Sequence, residues 1–246
     1  MNFASKYFKY LLLSLLVLSI IMLSGLAVVA QSNDDNLGVA YIRPRTLVYA
    51  RGNFWVYADN AFDDSQKRLI RSASEILHDR MRTQRSRILD CAYRRSNRFM
   101  PASRQRIDSQ LISVFVNAAS GNRPIKLTTT DLWTAPRRQP NGVTQYNTGR
   151  APIGNPGQFP EQGDLLRVAL NSVIVDRTFS DFPQARQADR WAGTLVHEVL
   201  HNLGYDHERS GSTDGAFVKE FGTCTAFNGN IPDGLQLTDS NVEVIE

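Results

Sequence analysis

The residues His197-Glu198-Val199-Leu200-His201-Asn202-Leu203-Gly204-Tyr205-Asp206-His207 spell H-E-x-x-H-x-x-G-x-x-H, and no other stretch limits the fold as tightly. Residues four apart on a helix lie on one face, a turn from each other, so His197 and His201 can aim two imidazoles at a single point. Gly204 is the residue type expected just past a helix end, where a left-handed turn carries the chain away at little steric cost. Such a turn swings His207 back toward the same point. Three neutral imidazoles and no thiolate suit one Zn2+ at roughly 2.0–2.1 Å per bond, with the fourth tetrahedral position left for water, which is the catalytic kind of zinc site. Glu198 stands beside the first ligand and is placed to take that water's proton as general base. The chain has four His in all. The fourth, His78, has no partner at metal spacing and is expected at the surface or its boundary.

The extended motif resembles that of the metzincin zinc endopeptidases, and Glu208 directly after the third histidine is most similar to the astacin branch. The resemblance implies His197, His201 and His207 as metal ligands, Glu198 as general base, one zinc ion as cofactor, a polypeptide substrate and hydrolysis of peptide bonds. It also implies an α+β fold: a zincin-like twisted mixed sheet, a backing helix and an active-site helix over a small C-terminal lobe. Two parts of the family pattern are missing. The four Met are Met1, Met22, Met81 and Met100, so no methionine turn follows His207, and no Tyr follows it either. The floor beneath the metal is therefore expected from Ala216, Phe217, Val218, Phe221 and Cys224.

Residues 1–30 are set aside from the fold. Lys6 and Lys9 precede an apolar run from Leu11 to Val29, and Val28-Val29-Ala30 offers a cut before Gln31, the layout of a secretory signal. The run is also long enough to span a bilayer, so an uncleaved N-terminal anchor is the competing reading, and only then is a membrane a partner. Either way the catalytic portion is expected outside the cytoplasm, secreted or extracytoplasmic. Residues 31–246 are expected to form one domain, with an upper lobe over about 41–204, a lower lobe over about 205–231 and a mobile tail over 232–246. Removing Lys6 and Lys9 from the 28 Lys and Arg leaves 26 against 24 acids, a balance that names no partner. Cys91 and Cys224 are the two cysteines. In an exported chain a single pair is expected as a disulfide. The alternatives are two buried thiols, or a Cys224 thiolate on the metal, which would close the open position.

Strand signals open the domain: residues 46–50 and 53–58 are β-rich runs around Arg51-Gly52 and read as a hairpin. Asp63-Asp64-Ser65 cap a helical stretch with Leu69, Ala73, Ile76, Leu77 and Met81 at helical spacing, a break near Thr83, and then Ile88, Leu89 and Ala92. From Lys67 to Arg106 twelve Lys or Arg face only Glu75, Asp79 and Asp90. A basic face of this kind can bind nucleic acid or other anionic polymers. It is expected to be a solvated helix face without nucleic acid, because Tyr93 and Phe99 are the only aromatics among these residues and do not interleave as a base-stacking surface requires. Residues 107–118 fit a helix and a strand equally, and 125–130 read as a strand. The Pro-, Gly-, Asn- and Gln-rich span 135–163 reads as a long surface loop able to rim a cleft. Residues 165–176 are the strongest strand signal, one strand or two with a bend near Asn171. Either 125–130 or 165–176 is expected as the edge that pairs with extended substrate. The motif helix starts at Pro183 or near Ala188, with Ala192, Leu195, Val196, Val199, Leu200 and Leu203 on one apolar face.

Three functions remain in play: the zinc endopeptidase, an exported zinc-binding or protein-interaction module with vestigial catalysis, and a cell-surface binder of anionic polymers. The missing Met and Tyr favour the second. The intact Glu198 argues against it, because a structural metal site has no use for that carboxylate.

Overall fold

The computed structural model describes residues 44–96, 101–116, 124–132, 137–138, 144–152, 154, 165–175, 184–206, 214–232 and 242–245. The chain divides into Met1–Ile42 and Arg43–Glu246, and all described residues belong to the second unit. The leader, the Gln31 cut, His207, Glu208 and most of 232–246 lie outside the described residues.

The hairpin forms as read: β1 (Arg45–Arg51) pairs antiparallel with β2 (Phe54–Asp59) around Gly52, whose φ of +56° needs glycine. Helix α1 (Asp64–Thr83) is started by a capping box, with the Asp63 carboxylate accepting from Gln66 N at 2.8 Å and Gln66 Oε1 accepting from Asp63 N at 3.0 Å. The chain breaks at Gln84 and continues as α2 (Arg85–Ser96). The ambiguous 107–118 stretch is helical, within α3 (Pro101–Phe115).

Next come β3 (Ile125–Asp131), β4 (Arg137–Arg138), β5 (Thr144–Asn147), β6 (Gly149–Arg150) and β7 (Leu165–Leu170). The chain ends with α4 (Gln187–Asn202), entered through a 3-10 turn at Gln184–Arg186, then α5 (Asp214–Ala226) and β8 (Val242–Ile245). The span read as a loop thus carries three short strands, and the C-terminal stretch contributes β8, which pairs with β5. The bend at Asn171 is present, but Ile174 and Val175 beyond it are buried in a turn and not in a second strand.

The main sheet has the order β1-β2-β3-β7-β6, parallel from β2 through β3 to β7 and antiparallel at both ends. It is a five-stranded mixed sheet with helices, the α+β class expected, and compatible with a zincin-like fold. Register puts Phe54, Val56 and Ala58 beside Ile125, Leu127 and Thr129, and the latter two beside Leu166 and Val168, forming one largely apolar face. Helices α1, through Ile70, Ala73, Leu77 and Met81, and α4 pack into the same core, with Ile88 and Leu89 of α2, Ile107 and Leu111 of α3, and Phe217 and Phe221 of α5. The apolar positions of α4 are buried as expected, but so are Arg190, Thr194, His197, Glu198 and His201, because α5 packs on α4 as well.

Arg80 joins three helices. Its guanidinium donates to the Thr225 carbonyl at 2.7 Å and the Ala226 carbonyl at 3.2 Å, the open end of α5, and bridges to Asp189 in the first turn of α4. Cys91 on α2 and Cys224 on α5 form the disulfide, with Cα atoms 5.9 Å apart, so neither a free thiol nor a thiolate ligand is present at these positions. Part of the basic stretch is neutralised internally, by Arg85 with Asp108, Arg95 with Glu220 and Arg104 with Asp90.

His78 corrects one expectation. It is 3 % exposed, bonded to the Tyr49 hydroxyl at 2.8 Å and the Phe115 carbonyl at 3.1 Å, with the Phe54 ring beside it. Burial holds its pKa below the usual 6.5, Arg82 and Arg51 push the same way, and the Phe115 carbonyl and Asp79 oppose them. With the folded value depressed, the unfolded chain takes up the proton first, so stability is present above about pH 6.5 and is lost as pH falls below it. His78→Gln should remove that component. Between pH 7.5 and 5.5 the native protein should lose more stability than the variant in urea unfolding. Parallel losses would contradict the assignment.

Candidate metal centre

His197 and His201 lie one turn apart on α4, with ring centroids 5.0 Å apart and planes at 80°. They are 0 % and 5 % exposed. The helix ends as the motif requires: Leu203 and Gly204 donate their N–H groups to the last carbonyls, Gly204 takes φ +92°, and Tyr205 N–H reaches the Leu200 carbonyl at 3.1 Å. The turn also sets the His201 ring. Its Nδ1 lies 2.6 Å from the Tyr205 carbonyl, which can only accept, so Nδ1 carries the proton and Nε2 holds the lone pair. Tyr205 is itself fixed, because its hydroxyl donates to Gln110 Oε1 of α3 at 2.6 Å.

Glu198 is 1 % exposed, and among the described residues neither carboxylate oxygen has a hydrogen-bond partner. Strand β6 runs against it: a Cβ on Gly149 would stand 3.1 Å from Glu198 Oε1 and 3.2 Å from its Cγ, a tight contact that glycine relieves. Burial pushes the Glu198 carboxyl up to about 8, with the Arg150 charge opposing. A carboxyl in this state keeps its proton at neutral pH unless a cation stands near it. An enclosed carboxylate with no hydrogen-bond partner among the described residues, on the helix that carries two imidazoles a turn apart, fits a divalent metal and the water it would carry.

Among the described residues no set of three or more His, Cys, Asp or Glu side chains converges on one point. His207, the third ligand of the motif, lies outside them. His78 is no substitute, since both of its ring nitrogens are engaged elsewhere. The floor residues Phe217, Val218, Phe221 and Cys224 are fully buried in α5, and the Ala216 side chain lies outside those described. Helix α5 reaches α4 through glycine: a Cβ on Gly193 would collide with the Gly222 carbonyl, and one on Gly222 would come within 3.3 Å of His197 Cβ. The backing of His197 is thus a helix crossing at two glycines.

One of the two expected edges is corrected: residues 125–130 are interior, as β3 lies between β2 and β7, whereas β7 is met on its outer side by β6 at Ala169 and Leu170. The antiparallel edge beside Glu198 is β6, inside the span read as a loop. Gly149, Arg150, Gln110 and Tyr205 escaped the sequence reading. The one signal for them was Gln110, a polar residue among Ile107, Leu111, Val114 and Phe115.

No protein-family model matches the chain, and no solved structure matches it. Over 58 residues the chain is 43 % identical to the Endoribonuclease YbeY of Alkalilimnicola ehrlichii, covering 24 % of this chain and 32 % of that protein. The chain thus spans about a third of the length of the relative it matches.

Proposed function

We propose that the chain is a zinc-dependent hydrolase that cleaves peptide bonds outside the cytoplasm. The observation that carries this reading is Glu198, an enclosed carboxyl next to His197, one turn from His201, with no hydrogen-bond partner among the described residues. A carboxylate buried for packing alone would be paired or hydrogen-bonded. One held without partners on the ligand helix is suited to exchange a proton.

His197, His201 and His207 would hold the ion. Bound zinc would polarise the scissile carbonyl and acidify the attacking water. Glu198 takes the water's proton and delivers it to the leaving amine, with Gly149 packed against the carboxyl. The β6 edge offers main-chain groups to an extended polypeptide next to Glu198. The partial likeness to an endoribonuclease supports hydrolysis in general, and the metzincin resemblance directs it to peptides. The apolar leader motivates export, and the Cys91–Cys224 bridge suits an oxidising compartment.

A second reading, phosphodiester hydrolysis in RNA, is favoured by the same 58-residue likeness and by the Arg150 charge acting on Glu198. Denatured casein and single-stranded RNA, each offered to the zinc-loaded protein with and without chelator, separate the two. Chelator-sensitive cleavage of casein alone is expected. Cleavage of RNA alone would move the substrate class, and cleavage of neither would remove the hydrolase.

A further inference from the structure

The last turn of α4 is fastened to the sheet by one side chain. Asn202 Oδ1 accepts the Arg167 N–H at 2.9 Å, and Asn202 Nδ2 donates to the Arg167 carbonyl at 2.9 Å and to the Glu198 carbonyl at 3.0 Å. Arg167 sits in β7, opposite Thr128 of β3. The carboxamide therefore makes, with one side chain, the pair of bonds that a further strand would make to an edge residue. It has one acceptor group and two N–H donors, and all of them are used. On the neighbouring residue, Gly154 N–H reaches the His201 carbonyl at 2.8 Å, and the place of a Cβ on Gly154 is occupied by the Asn202 carbonyl. The turn is clasped from both sides at the residue after His201 and four after Glu198.

We propose that Asn202 is a positioning residue, whose carboxamide locks the rotation of α4 against β7 and so fixes the directions of His201 and Glu198 toward the metal. The inference rests on the zinc reading above. Packing alone does not select asparagine here: leucine has a similar volume but can make none of the three bonds, and aspartate keeps the acceptor while losing both donors.

The test measures zinc affinity by chelator competition and the visible spectrum of the cobalt-substituted protein, for the native chain, Asn202→Leu and Asn202→Asp. Gln66→Leu serves as control, since it loses side-chain bonds away from α4, Gln66 Nε2 to the Ser172 carbonyl at 2.8 Å and Asp63 N–H to Gln66 Oε1 at 3.0 Å. Groups that orient metal ligands change affinity by about ten- to a hundred-fold when removed. Asn202→Leu should weaken zinc binding by that factor and alter the cobalt spectrum, Asn202→Asp, which sets an anionic oxygen against the Arg167 and Glu198 carbonyls, should do so too, and Gln66→Leu should lower Tm while leaving both readouts unchanged. Should Asn202→Leu fail to fold, Asn202→Asp decides. Native-like affinity and spectrum in the folded Asn202 variants would overturn the inference and leave the zinc reading standing. Absence of zinc binding in the native chain would remove both.

Discussion

Glu198→Gln is expected to lower turnover by about 10²–10⁴-fold while the protein still binds zinc, because a positioned general base contributes about that much. Glutamine keeps the shape of the side chain in the enclosure formed with Gly149, but its amide cannot take a proton from water. The proposed ligands His197 and His201 are unchanged, and the His201 ring is set by the Tyr205 carbonyl, not by Glu198. A simultaneous loss of metal and activity would mean that Glu198 acts in holding the ion. Retained turnover would take it out of the reaction. The measurement is zinc content and initial rate on the same preparation, using whichever substrate the native protein cleaves.

Cys91→Ser with Cys224→Ser should cost 2–5 kcal/mol. The bridge closes a sequence separation of 133 residues, for which loop-closure entropy alone gives about 5 kcal/mol, an upper figure when the reduced chain retains structure. For a domain of this size the loss corresponds to a fall in Tm on the order of 10 °C. The bridge has a further consequence, since α5 stands behind His197 through Gly222 and carries Phe217 and Phe221 into the core. Loosening α5 should weaken zinc binding as well as the fold. Thermal melts with and without reductant, at fixed zinc, check the first effect, and a reductant-insensitive Tm would contradict it.

What the sequence made legible was local. The Arg51-Gly52 hairpin, the Asp63 cap of α1, the break near Thr83 and the glycine turn after α4 each rest on signals a few residues long, and each is present. Legibility ended where long-range contact decides. Strands β5 and β6 span four and two residues, too short for periodicity, and β6 exists as a strand through its pairing with β7. Val173, Ile174 and Val175 read as strand because an apolar run does not distinguish a strand from a buried turn. His78 read as a surface group because its partners, Tyr49 and Phe115, come from β1 and α3. The role of Asn202 was hidden in the same way, since its partner Arg167 lies 35 positions away.

The central claim is that His197 and His201, held as the structure places them, share one zinc ion with His207 beside Glu198. Zinc-edge X-ray absorption on the loaded native protein tests it most directly. Three imidazole nitrogens and one further light atom at roughly 2.0–2.1 Å are predicted. A first shell containing sulfur, or only two imidazoles, would contradict it.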